Sequence, residues 1–423
     1  MTQNADATHL KRESKQVPAQ PQFLLLAREP FTSGRLVDKP RRTNYVVNST
    51  MLRFLRSTEE LERITLTASL RLAGVTGGIT WLKLTRAGLR NVRPDTIRFA
   101  TQATALSRLF VEVTSACNLR CLHCYGAFGT AGHPSHLRIP DLRPLAEEAA
   151  RAGVSHLDYT GGEPMMNPHF RDALALSAEL GMLTSVFTSL TIRTAELVDW
   201  VEAYGVQHVI TSVESLHERT HDTFRGSRFA LRRTLDAMAA LRAQGVPVTV
   251  NVVIGKHNED SALDTAEALL HDGYAVQIGF MLLQGRATAS LMCSPQTRHH
   301  ILSQAASRGL VKGLRADNDA PPCGIGRSLL FVSAEGNLYP CPSLRNKSFL
   351  MGTLTRHPAL DQIAEHVNEL GASVRCEAAC PFTAACAGGC RARALLNHGS
   401  IRACDEESRE IEEVMSREPT IHT

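Results

Sequence analysis

Between residues 109 and 281 the sequence alternates short β-branched or aromatic runs with longer amphipathic stretches. That alternation restricts the segment to an α/β architecture built on a parallel sheet. Residues 109–114 (LFVEVT), 156–160, 184–188, 208–214, 246–253 and 275–281 read as strands, and 140–152, 169–180, 195–203, 229–244 and 260–271 carry helical spacing. Parallel strands need long crossover connections, and about six such units curve into a partly closed barrel. The spacing therefore predicts a partial (β/α)6 barrel over residues 106–315. Such a barrel carries its chemistry at the carboxyl ends of its strands. Cys117 follows the first strand and Gly161, Gly162, Glu163 and Pro164 follow the second, while Thr188 and Ser189 end the third and Glu214 the fourth.

The flanks differ in kind. Residues 1–22 are polar without hydrophobic periodicity and predict a disordered tail. Residues 23–105 combine strand-like pieces with helical spacing at 51–61 and 80–89, which suggests a small winged-helix-like α+β domain. After about residue 315 Cys, Gly and Pro replace the alternation, so residues 316–412 read as a metal-organised domain and 413–423 as a C-terminal tail. No apolar run reaches the roughly 20 residues of a membrane span, and a net charge of +4 points to neither nucleic acid nor a membrane surface. The polar N-terminus does not read as a secretory signal, which predicts a cytoplasmic location. In that reducing compartment the 11 cysteines are expected to bind metal or react, not to form structural disulfides.

Cys117-Asn-Leu-Arg-Cys121-Leu-His-Cys124-Tyr125 has the spacing CxxxCxxC. Three thiolates on a 4Fe-4S cluster leave one iron open, whereas a zinc site would recruit His123 as its fourth ligand. The motif, with an aromatic residue behind it and a place on the loop after the first strand, resembles the radical S-adenosylmethionine superfamily. The resemblance implies a TIM-like barrel in which Cys117, Cys121 and Cys124 hold a catalytic 4Fe-4S cluster whose open iron binds S-adenosyl-L-methionine. It further implies a flavodoxin or ferredoxin as electron donor, and cofactor cleavage to a 5'-deoxyadenosyl radical that abstracts a substrate hydrogen. Gly161-Gly162-Glu163-Pro164 is similar to the family's GGEP element, which implies close backbone approach to the cofactor and a contact of Glu163 with its ammonium group. Ser212-Val213-Glu214-Ser215, His221-Asp222, Arg225-Gly226 and Gly285-Arg286-Ala287 resemble further family landmarks. By that likeness Tyr125 meets the adenine and Ser212, Glu214 and Arg225 meet the ribose or carboxylate, with Thr188 and Ser189 beside them. Glu214 stands where the family usually has Asp.

Cys323, the Gly336-Asn-Leu-Tyr-Pro-Cys341 segment, Cys376, Cys380, Cys386, Cys390 and Cys404 resemble a SPASM domain, which carries auxiliary iron-sulfur clusters. The family pattern assigns Cys376, Cys380, Cys386 and Cys404 to one cluster and Cys323, Cys341 and Cys390 to a second. This chain departs from it in the spacing from Cys386 to Cys390 and in having no further cysteine just before Cys323. The second cluster would then take water, a remote residue such as Cys293, or a substrate thiolate as its fourth ligand. CxxxC pairs also suit zinc, which stands as the alternative. Residues 41–64, with Asn44-Tyr45-Val46-Val47-Asn48 leading into a helical pattern, are similar to leader-peptide recognition domains. Together these likenesses imply a maturase that installs a thioether or carbon-carbon crosslink in a ribosomally made precursor peptide. A dehydrogenase of a sugar or aminocyclitol and a non-catalytic iron-sulfur protein are the other expectations.

Overall fold

The computed structural model describes residues 23–27, 33–38, 43–48, 97–101, 106–129, 132–311, 328–373, 376, 380–382, 386 and 388–417. Near the N-terminus, strands β1 (Phe23–Ala27), β2 (Ser33–Asp38), β3 (Thr43–Asn48) and β4 (Ile97–Thr101) form a four-stranded sheet in the order β3-β2-β1-β4. β1 runs antiparallel to β2 and parallel to β4. The expected helices at 51–61 and 80–89 and the tail at 1–22 lie outside the described residues.

The predicted alternation is present in the barrel. β5 (Arg108–Glu112), β6 (His156–Thr160), β7 (Ser185–Phe187), β8 (His208–Ser212), β9 (Val248–Ile254) and β10 (Ala275–Phe280) lie side by side in chain order, every pair parallel. Between them run α1 (Ile139–Arg151), α2 (Phe170–Glu179), α3 (Thr194–Ala203), α4 (Glu218–Arg225), α5 (Ala230–Ala243) and α6 (Ala262–His271). α1 shows why these segments are helical. Pro140 sits in its first turn, where no amide donor is needed, and Leu142, Leu145, Ala146 and Ala149 recur at helical spacing on one buried face. β9 (VTVNVVI) is rich in β-branched residues that suit a pleated surface packed on both sides. Leu109, Val111, Leu157, Val209, Val250 and Val252 are fully buried with Leu142, Leu145, Phe170 and Leu241. Each such side chain contributes about 1.5–3 kcal/mol relative to exposure.

The C-terminal region is joined to this sheet. β11 (Leu329–Val332) pairs in parallel with β5, and β12 (Asn337–Tyr339) and β13 (Gly352–Thr353) follow, giving nine strands in the order β10-β9-β8-β7-β6-β5-β11-β12-β13. The sequence boundary at 315/316 therefore divides a continuous sheet. Helices α7 (Pro295–Ser307), α8 (Leu360–Ser373), α9 (Arg391–His398) and α10 (Glu406–Arg417) complete the described chain. α10 corrects the start of the expected tail at 413–423: Val414 is buried, Arg298 of α7 reaches across to Glu410 with bonds of 2.8 and 2.7 Å, and the helix runs on to Arg417, while 418–423 lie outside the described residues. No described helix is long and apolar enough to cross a membrane.

Candidate active site

The loop after β5 carries the three-cysteine motif, and its backbone is tied down from several sides. Arg120 and Leu122 donate their N–H groups to Arg225 O (3.1 Å) and Phe224 O (2.9 Å) at the end of α4. Arg286 donates through Nε to Cys121 O at 2.8 Å and through Nη1 to Phe128 O at 2.5 Å, while its own N–H bonds Cys124 O at 3.0 Å. Gly285 permits this approach: its φ is +63°, and a Cβ there would lie 2.2 Å from Cys124 O. Sequence reasoning matched Gly285-Arg286-Ala287 to a motif but attached no task to Arg286. Its clamp on the loop becomes visible only when the end of β10 is folded against residues 121–128.

Cys117, Cys121 and Cys124 line one cavity of about 350 Å³ together with Tyr125, Gly161, Gly162, Thr188, Ser189, Ser212 and Arg225. Phe187, Ile210, Val253, Phe280 and Met281 supply an apolar wall. The strand ends thus bring together most of the residues singled out in the sequence. A Cβ on Gly162 would meet Ala116 O at 2.2 Å and Cys117 Cβ at 2.9 Å, so only glycine lets β6 end this close to the cysteine loop. Thiols are the ligands an iron-sulfur cluster takes, and a set of three leaves one iron open. The cavity's size, with an apolar wall and a few convergent polar groups, suits a small cofactor.

Glu163, Pro164 and Glu214, expected among the cofactor contacts, do not line the cavity. Glu163 is fully buried, and its carboxylate accepts from Thr188 Oγ1 (2.8 Å), Ser189 N (2.8 Å), Ser189 Oγ (2.7 Å) and Met165 N (3.2 Å). Those donors occupy the four acceptor positions of a carboxylate, so Glu163 holds the end of β7 in place. Glu214 is also fully buried and binds Arg225 in a fork, Nε to Oε2 at 2.8 Å and Nη2 to Oε1 at 2.9 Å. The same guanidinium donates to Ser212 O at 3.1 Å and, through Nη1, to Cys121 Sγ at 3.5 Å.

Burial governs the charges. It pushes the Cys117 thiol up to about 12 against the hydrogen bond from Leu119 N–H, and it raises Cys124 as well. Thiols held this reluctantly as acids ionise when a metal takes the proton's place. Burial also raises Glu163 and Glu214, opposed by the donors from Ser189 and by Arg225 respectively. His221 is pushed down to about 3 by burial and by Arg225; it is neutral, and its Nδ1 accepts from Glu214 N at 3.3 Å. His123 stacks on Phe224 with centroids 4.6 Å apart, and Phe224 stacks in turn on His257 at 3.5 Å.

Of the C-terminal cysteines, Cys404 and Cys386 each lie within electrostatic reach of Cys376, and Cys341 of Cys390. Burial pushes Cys404 up to about 11, with Cys376 and Cys380 close enough to add to the effect, and Cys386 is raised in turn by burial, Asp405 and Cys376. Cys341, also pushed up to about 11 by burial, is raised further by Cys390. Cys323 lies outside the described residues. Cys293 lines a separate small crevice with Arg298, Arg393 and Glu407. Sequence reasoning missed Arg345. It donates to buried Glu112 at 2.6 Å, stacks over Tyr125, Phe128 and Phe331, and so joins the Cys341 loop to the Cys124 loop.

The chain is similar to several known proteins. The family profile of the Radical SAM superfamily matches residues 111–269. The chain is 28% identical to the AdoMet-dependent heme synthase of Methanosarcina barkeri (strain Fusaro / DSM 804), over 68% of this chain and 92% of that protein. It is also 28% identical to the PqqA peptide cyclase of Xanthomonas oryzae pv. oryzae (strain MAFF 311018), over 70% of this chain and 86% of the relative. The crystal structure of Streptococcus suis SuiB bound to precursor peptide SuiA shares the fold with a TM-score of 0.61 at 13% identity, covering 92% of this chain and 99% of SuiB.

Proposed function

From the match of residues 111–269 to the Radical SAM superfamily profile, we propose that this chain is a radical S-adenosylmethionine enzyme that modifies a ribosomally made precursor peptide, with Cys117, Cys121 and Cys124 holding a 4Fe-4S cluster. The observation that carries the proposal is the meeting of those thiols with Gly161, Gly162, Ser189, Ser212 and Arg225 on one cavity wall. Cluster and S-adenosylmethionine together supply a reductively generated carbon radical able to take a hydrogen atom from the substrate. The chain's residues orient and enclose that chemistry. Arg286 fixes the cysteine loop, and Gly161 and Gly162 offer bare backbone where the cofactor's amino-acid end would lie. Arg225, held flat by Glu214, and Ser212 present donors to its carboxylate or ribose, and Tyr125 offers a ring edge to the adenine. Phe187, Ile210, Val253, Phe280 and Met281 exclude water from the reacting atoms.

The similarity to proteins named for peptide cyclisation and precursor-peptide binding supports the peptide substrate, and a thioether or carbon-carbon crosslink is the product proposed. Among the described strands β3 (Thr43–Asn48) stands at an edge of the N-terminal sheet, where a leader peptide would add as a strand. In this reading Cys376, Cys380, Cys386 and Cys404 hold one auxiliary cluster and Cys323, Cys341 and Cys390 hold another within a SPASM domain. The similarity to a heme synthase favours a second reading, a small-molecule substrate for the same radical.

The test is anaerobic reconstitution, reduction and assay with S-adenosylmethionine. The parent should form 5'-deoxyadenosine, and the Cys117→Ala/Cys121→Ala/Cys124→Ala variant should form none; equal formation by both would end the catalytic assignment. A peptide encoded beside the enzyme should lose the mass of a hydrogen pair on incubation. An unchanged peptide alongside oxidation of a small alcohol would favour the second reading.

A further inference from the structure

Two arginines beside the C-terminal cysteines carry buried donors with no acceptor. Arg391 is 5% exposed. Its Nη1 donates to Ile401 O and Ala403 O, both at 3.0 Å, while its Nε and Nη2 are buried without a hydrogen-bond partner. The guanidinium lies against Gly388, where a Cβ would stand 3.4 Å from Arg391 Cζ. Arg409, half-buried on α10, likewise has a buried Nε without a partner. An unmet buried donor costs about 1–3 kcal/mol, and more when charged, so these three donors, two of them on one guanidinium, call for an acceptor.

Their surroundings identify its chemistry. Burial raises the Cys386 thiol and the Arg391 charge pulls it back; burial raises Cys404 and Arg409 pulls it back. Arg391 packs against Gly388, two residues after Cys386, and its Nη1 bonds the carbonyls of Ile401 and Ala403, the latter next to Cys404, so it sits between two of the four cysteines proposed above as ligands of one cluster. An anionic metal-thiolate centre presents sulfur atoms that accept such bonds, and hydrogen bonds to sulfur together with nearby positive charge raise the reduction potential of an iron-sulfur cluster.

We propose that Arg391, through Nε and Nη2, and Arg409, through Nε, donate hydrogen bonds to sulfur atoms of a 4Fe-4S cluster held by Cys376, Cys380, Cys386 and Cys404, and that they set its reduction potential. This rests on the auxiliary-cluster reading above. Both arginines are positioning and tuning residues that touch no substrate. Arg391 also ties the cluster to the 401–403 turn leading into Cys404, so the residue that tunes the site also fixes one of its ligands.

The experiment uses the full-length Cys117→Ala/Cys121→Ala/Cys124→Ala protein, so that only C-terminal clusters contribute. After anaerobic reconstitution, iron and zinc are measured and the reducible signals are titrated by EPR. The background protein should bind about eight irons, as two 4Fe-4S clusters. Adding Arg391→Gln should leave the iron in place and lower one midpoint by at least a tenfold change in the one-electron equilibrium constant, about 59 mV. Arg391→Lys, which keeps the charge but not the planar fork, should lower it less, and Arg409→Gln should move the same midpoint in the same direction. If Arg391→Gln fails to retain iron, Arg391→Lys and Arg409→Gln decide the matter. Full iron with unmoved midpoints in these variants would overturn the arginine assignment while leaving the clusters in place. Zinc, or no metal, at the C-terminal cysteines of the background protein would overturn the auxiliary-cluster reading and this inference with it.

Discussion

His156 begins β6 with its Nδ1 2.8 Å from Ser155 Oγ, and burial together with Arg108 pushes it down to about 4. The unfolded chain would titrate this imidazole near its ordinary value of about 6.5. Between those values the unfolded state binds the extra proton, so stability is fully present above about pH 6.5 and is lost as the pH falls toward 4. For a partly exposed group the loss is on the order of 2 kcal/mol. Urea unfolding at pH 7 and pH 4.5 should therefore show a smaller pH-dependent loss in His156→Gln than in the parent, and equal losses would exclude this histidine as a source. At this scale the motifs were good guides to identity and poorer guides to direction. The spacing of Cys117, Cys121 and Cys124 was enough to group them. It could not show that Glu163 and Glu214 turn away from the cavity, because that depends on Ser189 arriving from the loop after β7 and Arg225 from the end of α4.

Among the elements, the turn from β6 into Pro164–Met166 leaves no room for a side chain at Gly162. Gly162→Ala would drive a methyl group into Ala116 O and the Cys117 side chain, and neither can yield without moving Cys117, the first of the proposed cluster ligands. The expected result is loss of about four irons per chain on reconstitution, with barrel secondary structure by circular dichroism retained. Normal iron content would mean that the close approach is not needed. The strands and the helices between them were legible because periodicity is local. α4 was not: its eight residues, ERTHDTFR, are strongly polar, and only His221, Phe224 and Arg225 are buried. α7 has an N-cap, Ser294 accepting from Thr297 N, but little apolar pattern, since a pair of hydrogen bonds from Arg298 to Glu410 does part of the docking.

For the molecule as a whole, the decisive contacts join residues that are distant in sequence. Glu112, raised by burial, accepts from Arg345 and from Ala334 N. Arg345→Ala would leave that carboxylate buried and unpaired and strip a cation from the face of Tyr125, a loss of about 3–5 kcal/mol. Chemical denaturation should detect it, and a loss under about 1 kcal/mol would show that the two loops hold together without this pair. No local pattern announces such a pairing, nor the seating of β11 on β5. That seating also has a temporal meaning. Ser107 and Ser328, whose bond opens the pairing, are 221 residues apart, a separation that the ribosome takes roughly 10–40 s to cross. Until then the first barrel strand has a neighbour on one side only, and its other edge is open to unrelated chains. In a growing cell the barrel therefore spends part of its synthesis needing protection, and a chain stopped before Leu329 is expected to aggregate rather than persist as a smaller enzyme.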